Sequence, residues 1–124
     1  MITIKDTEVL NSILTHRAHP KMVELIVWFT VRYSQTVFTC AFEARDYPSV
    51  HDEDPYRGMD VRSWVFDDPQ AVVDDINNHF QYDPERPEIK TAIYHDVGRG
   101  RHIHLQVHDR TIYLGETKQN EVSL

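Results

Sequence analysis

The sequence predicts an α+β fold, with N-terminal helices packed on a small, mostly antiparallel sheet. Three observations predict it. Apolar residues recur at helical spacing as far as Tyr33. Beyond that point, β-branched and aromatic runs alternate with polar residues at strand spacing. Gly98-Arg99-Gly100-Arg101 then separates two such runs by the length of a hairpin turn.

In chain order, Thr7 to Leu14 places Val9, Leu10, Ile13 and Leu14 on one helical stripe. Pro20 opens a second helix at its first turn, where the missing N–H costs nothing, and this helix extends over about Lys21 to Tyr33. Met22, Val23, Leu25, Ile26, Val27, Trp28 and Phe29 make it apolar almost all round, which predicts the central buried helix. Thr36 to Ala44 reads as a strand, Arg45 to Tyr56 as an ordered polar loop, and Met59 to Phe66 as a second strand. Asp67-Asp68-Pro69 caps a third helix over Pro69 to Phe80, with Ala71, Val72, Ile76 and Phe80 inward. Tyr82 to Pro87 is a rigid connector, and Thr91–Val97 and His102–His108 form the hairpin. Thr111 to Leu114 adds a short last strand. Residues 1–115 are expected to form one domain and 116–124 a flexible tail.

The 124 residues suffice for one domain with a modest core, and 40% hydrophobic, 27% charged and 10% aromatic content is that of a folded chain. A net charge of −7 without a dense Lys/Arg cluster argues against a nucleic-acid partner. Cys40, within the apolar run Val37 to Phe42, has no internal disulfide partner and reads as a small buried hydrophobe. The opening Met1-Ile2-Thr3-Ile4-Lys5-Asp6 does not resemble a secretory signal, so synthesis in the cytoplasm is expected. Leu25 to Val31 falls short of the ~20 residues that span a bilayer, so no membrane insertion is expected.

The chemistry-bearing signal is the strand His102-Ile103-His104-Leu105-Gln106-Val107-His108. Strand alternation sends Ile103, Leu105 and Val107 to the core and gathers His102, His104, Gln106 and His108 on the other face. Two imidazoles at i and i+2 can point at one place, and neutral imidazole is the commonest metal ligand. Upstream, His51 precedes Asp60, which is flanked by Met59 and Val61 as on a strand with one polar face. Gly58 lets the chain turn closely before it. Two imidazoles and one carboxylate make a three-ligand zinc site whose fourth position stays open for an acidified water. Asp52, Glu53 and Asp54 read as a solvated acidic loop.

This combination resembles the LAS-type zinc peptidases: D-alanyl-D-alanine carboxypeptidases, phage L-alanyl-D-glutamate endopeptidases and the related hedgehog signalling-domain fold. Their pattern is Ser-x-His, a glycine-containing loop, an Asp and a later His-x-His strand. Ser49 and His51, Gly58 and Asp60, and His102 and His104 match it, over about residues 20 to 110. His51 and Asp60 stand farther apart than is usual there, a loop insertion containing Pro55.

The resemblance implies one zinc ion on His51, Asp60 and His104, and a peptidoglycan stem peptide as substrate. His102 is then the base or transition-state stabiliser, with Asp96 or His95 as alternatives if the 98–101 turn folds over the site. It implies that Arg45 neutralises charge on the substrate carbonyl, with an ion pair to Asp46 or Glu43 as the plainer role. Ser49, Arg99 and Arg101 would face the peptide, the arginines meeting an anionic group. Gln106 and His108 would support or border the site. Compact length and the absence of a signal fit a phage-type enzyme, in the virion or released to the cell wall. The alternative is a non-catalytic zinc-binding module of a phage particle on the same fold. A cupin-like barrel fits less well, because the N-terminal third is helical and no second histidine motif follows.

Overall fold

The structure, a computed structural model, describes residues 1–42, 49–51, 53–96, 98 and 100–115. The expected tail at 116–124, Arg45 and Arg99 lie outside these described residues. Its elements are β1 (Thr3–Ile4), α1 (Thr7–Thr15), α2 (Pro20–Arg32), β2 (Val37–Cys40), β3 (Gly58–Arg62), α3 (Pro69–His79), β4 (Phe80–Gln81), β5 (Ala92–Asp96), β6 (Arg101–Gln106) and β7 (Ile112–Tyr113).

Local chemistry starts each helix. The Asp6 carboxylate accepts from Val9 N at 3.0 Å, His19 Nδ1 from Lys21 N at 3.0 Å, and Asp68 Oδ1 from Ala71 N at 3.1 Å. The expected α2 is not buried all round. Met22, Leu25 and Phe29 are fully buried, whereas Val23, Val27 and Val31 form an exposed stripe along the opposite side. A single layer of sheet offers only one surface for this helix to cover, so half of its apolar circumference meets solvent. Among the described residues no helix is long and apolar enough to cross a membrane.

The main sheet has the order β1-β2-β3-β6-β5, with β1 parallel to β2 and the other pairs antiparallel. The β1 edge strand and β4 are too short to have shown a period in the sequence, whereas β7, which pairs with β4, falls within the short last strand expected at Thr111 to Leu114. Met59, Val61, Ile103, Leu105 and Ala92 meet the buried residues of α2 and α3 in one core, leaving the other sheet face for polar side chains. In the β5–β6 hairpin Gly98 and Gly100 take φ of +96° and +86°, a region that L side chains resist. Asp96 Oδ1 accepts from both of their N–H groups, at 2.8 and 3.2 Å.

The 49–57 loop is held from several sides. Tyr56 N donates to Arg17 O and His19 N to Tyr56 O, while Arg57 N donates to Val50 O at 2.9 Å. The Arg57 guanidinium also bonds Glu53 and reaches Val107 O at 3.0 Å. Gly58 is required here by space: a Cβ on it would lie 2.3 Å from Val50 Cγ2 and 3.3 Å from His51 Cε1. Gly58→Ala is therefore expected to destabilise the protein by roughly 1–3 kcal/mol through overpacking against a stiff valine. Denaturant unfolding checks this, and an unchanged midpoint would show that the loop yields at no cost.

Candidate metal centre

The sheet register assembles the site. Asp60 in β3 stands opposite His104 in β6, and Arg62 opposite His102. His95 in β5 stands opposite His102 from the other side. Because Met59, Val61, Ile103 and Leu105 take the core face, Asp60, His102, His104, Gln106 and His95 share the other. The loop then brings His51, 3% exposed, over the same face. Ser49 has a local role: its hydroxyl accepts from His51 N at 3.2 Å and fixes the turn.

Asp60 is the centre of the arrangement. Its Oδ1 lies 3.3 Å from His51 Nε2 and 2.8 Å from His104 Nδ1, and its Oδ2 lies 3.7 Å from His102 Nε2. The far nitrogens decide which atoms carry lone pairs. A carbonyl can only accept, so His51 Nδ1, 2.7 Å from Ala41 O, is the protonated nitrogen. The Gln106 amide donates to Lys90 O at 2.8 Å, which turns its Oε1 to His104 Nε2 at 3.2 Å and places the proton there. Both rings thus turn their remaining nitrogens to one carboxylate oxygen, a convergence satisfied by a proton on each ring or by a cation between the groups. Imidazole nitrogens and a carboxylate are donors of the kind that hold zinc.

The electrostatics show the same pull. Burial alone would push the His51 imidazolium down, but the hydrogen bond to Asp60, then the one to Cys40, hold its pKa up at about 10. Burial would likewise raise the Asp60 carboxyl, yet hydrogen bonds from His104 and His51 keep it well below the usual carboxylate range. His95 moves the other way, because burial and the neighbouring His102 and His104 push its imidazolium down.

Cys40 joins the site unannounced by its sequence context. Cys40 Sγ, a His51 nitrogen and an Asp60 oxygen all lie within 4.8 Å of one another, a group that could hold a metal ion. A register shift between Phe38 and Cys40 causes this: Phe38 pairs with Val61 on the core face, and Cys40 pairs with Asp60 on the other. The thiol is buried, as the apolar run predicts, and sits 3.6 Å from His51 Nδ1.

The remaining expected residues are spread more widely. Asp96 points its carboxylate into the hairpin turn, with both glycine N–H groups as partners. Arg101 follows the parity of Ile103, and its guanidinium stands 5.3 Å from the Tyr94 ring centroid on the other side of the hairpin. His108 lies past the end of β6 against Tyr82, with ring centroids 5.7 Å apart. Arg62 is a cation that does share the face of Asp60, its guanidinium 4.9 Å from the centroid of exposed Trp64. The alternation from Asp60 to Arg62 was the sequence signal for it.

Gln106 sets the His104 tautomer, so Gln106→Leu is expected to lower metal affinity about 10- to 100-fold while leaving Asp60 and His51 in place. Competition against a zinc-binding dye measures this. An unaltered affinity would mean that Gln106 does not orient His104.

No family model, curated protein or solved structure matches this chain.

Proposed function

We propose that this protein is a zinc-dependent peptidase, of the phage LAS type, that hydrolyses an amide bond in peptidoglycan stem peptides. The observation that carries the reading is the convergence of His51 Nε2 and His104 Nδ1 on Asp60 Oδ1, with His102 beside them. His51 Nε2, Asp60 and His104 Nδ1 would hold the ion. A zinc ion held there would supply Lewis acidity toward water and a substrate carbonyl.

The chain's own groups supply the rest. His102 Nε2 is turned to the site with its Nδ1 3.3 Å from Gly100 O, which fixes Nε2 as the proton acceptor. It takes a proton from the attacking water and returns it to the leaving amine. His95 Nε2, 3.2 Å from His102 Nε2, shares that lone pair and must release it when the water is deprotonated. Arg62, rather than Arg101, is placed to meet an anionic group of the peptide, because it lies across from His102 on the site's face. Arg45 and Arg99, by the resemblance, would stabilise the carbonyl oxygen and contact the substrate.

One observation favours the second reading, a non-catalytic zinc module of a phage particle. If Cys40 ligates together with His51, Asp60 and His104, four protein ligands close the ion off from substrate, as in structural zinc sites.

Untagged protein is expected to carry zinc that is lost in His51→Ala and in His104→Ala. His102→Ala should retain the zinc and cut stem-peptide hydrolysis about 10²- to 10⁴-fold. Elemental analysis and release of peptides from purified peptidoglycan read the two effects. A wild type that takes no zinc at neutral pH would end the proposal. Zinc without hydrolysis, lost on Cys40→Ala, would establish the closed module in its place.

A further inference from the structure

Asp60 Oδ1 serves His51 and His104, which leaves Oδ2 toward His102, itself paired with His95. His102 Nε2 lies 3.7 Å from Oδ2, and His95 Nε2 lies 3.2 Å from His102 Nε2. The two rings meet at 70° with centroids 4.8 Å apart, a T-shaped arrangement in which they do not stack. Two imidazole nitrogens on one tetrahedral zinc, each at ~2.0–2.1 Å, stand about 3.3 Å from each other. The His95–His102 separation is already that of two ligands on a common ion. The pair is also held by backbone, since the two residues sit directly opposite one another in the β5–β6 ladder.

We infer that this chain binds a second divalent cation on the His95 Nε2–His102 Nε2 pair, with Asp60 Oδ2, 3.7 Å from His102 Nε2, drawn in as the carboxylate that links it to the first. Two neutral imidazoles select zinc, copper or nickel over calcium or magnesium, which favour all-oxygen sites. The second ion binds more weakly than the first. It shares one carboxylate with an ion already present, and its pocket is the more open, with the His102 side chain 16% exposed against 4% for His51. An ion at this position occupies the His102 lone pair, so the site and the role of His102 as base exclude one another. The inference rests on the zinc reading above for the first ion.

The full-length chain, stripped of metal, is titrated with Zn²⁺ by calorimetry and with Co²⁺ by visible absorption. Two ions per chain are expected, the second weaker. His95→Ala and the more conservative His95→Gln are each expected to bind one ion with the tight step preserved and far-ultraviolet circular dichroism unchanged. One ion on the wild type overturns the second site and leaves the first intact. No ion on the wild type overturns both readings. Two ions on both folded His95 variants would place the second ion elsewhere and overturn the assignment.

Discussion

The structure around this site depends on burying one carboxylate. Asp60 is in the middle strand of the sheet, flanked by β2 and β6, and its side chain is only 13% exposed. Taking an ionised carboxylate out of water costs several kcal/mol unless partners replace the lost hydration. Here the partners come from three places: His104 across the ladder, His51 from a loop, and His102 from the next register position. Each is then fixed from behind, His51 by Ala41 O, His104 by Gln106 and His102 by Gly100 O. The outer polar atoms exist to set the direction of the inner ones.

The same requirement explains features that look local. Gly58 is small because the His51 loop passes directly over it. The shift in β2 places a soft thiol beside Asp60 where continued alternation from Phe38 would have sent it to the core. The sheet is asymmetric by design of its sequence: one face is sealed by α2 and α3 around Leu25, Phe29 and Ile76, and the other is given to polar groups. Stability is therefore concentrated on one side, which lets the opposite side hold an arrangement of donors that favours an ion over a compact apolar packing.

Much of this was legible in the residues, for identifiable reasons. Period-two alternation over His102 to Val107 fixed which imidazoles share a face, because Ile103, Leu105 and Val107 leave no choice of register. Asp60 was found by the same means, between Met59 and Val61. Alternation also contained the answer for Arg101, whose parity with Ile103 sets it opposite the histidines, although its closeness in sequence to His102 suggested otherwise. Cys40 was not legible, since a one-residue register shift leaves no mark in composition or period. The exposed valine stripe of α2 was missed because hydrophobicity all round a helix says nothing of how many layers are available to cover it. β1 pairs through two residues only, too few to carry a pattern.

Whether such a centre acts on a substrate turns on donor count more than on donor identity. His51, Asp60 and His104 alone leave zinc a position for an exchangeable ligand, and His102 stands next to it. Adding Cys40 satisfies the ion entirely from the chain. The thiol's surroundings define two places for an ion. Cys40 Sγ lies 3.7 Å from Ala41 O, a carbonyl that also accepts from His51 Nδ1, so the sulfur sits on the protonated side of the imidazole. The lone pair of His51 leaves from the opposite side, toward Asp60. An ion between His51 Nε2, Asp60 and His104 Nδ1 would thus have Cys40 behind the imidazole, whereas the thiol, a His51 nitrogen and an Asp60 oxygen, all within 4.8 Å of one another, offer an ion a second place.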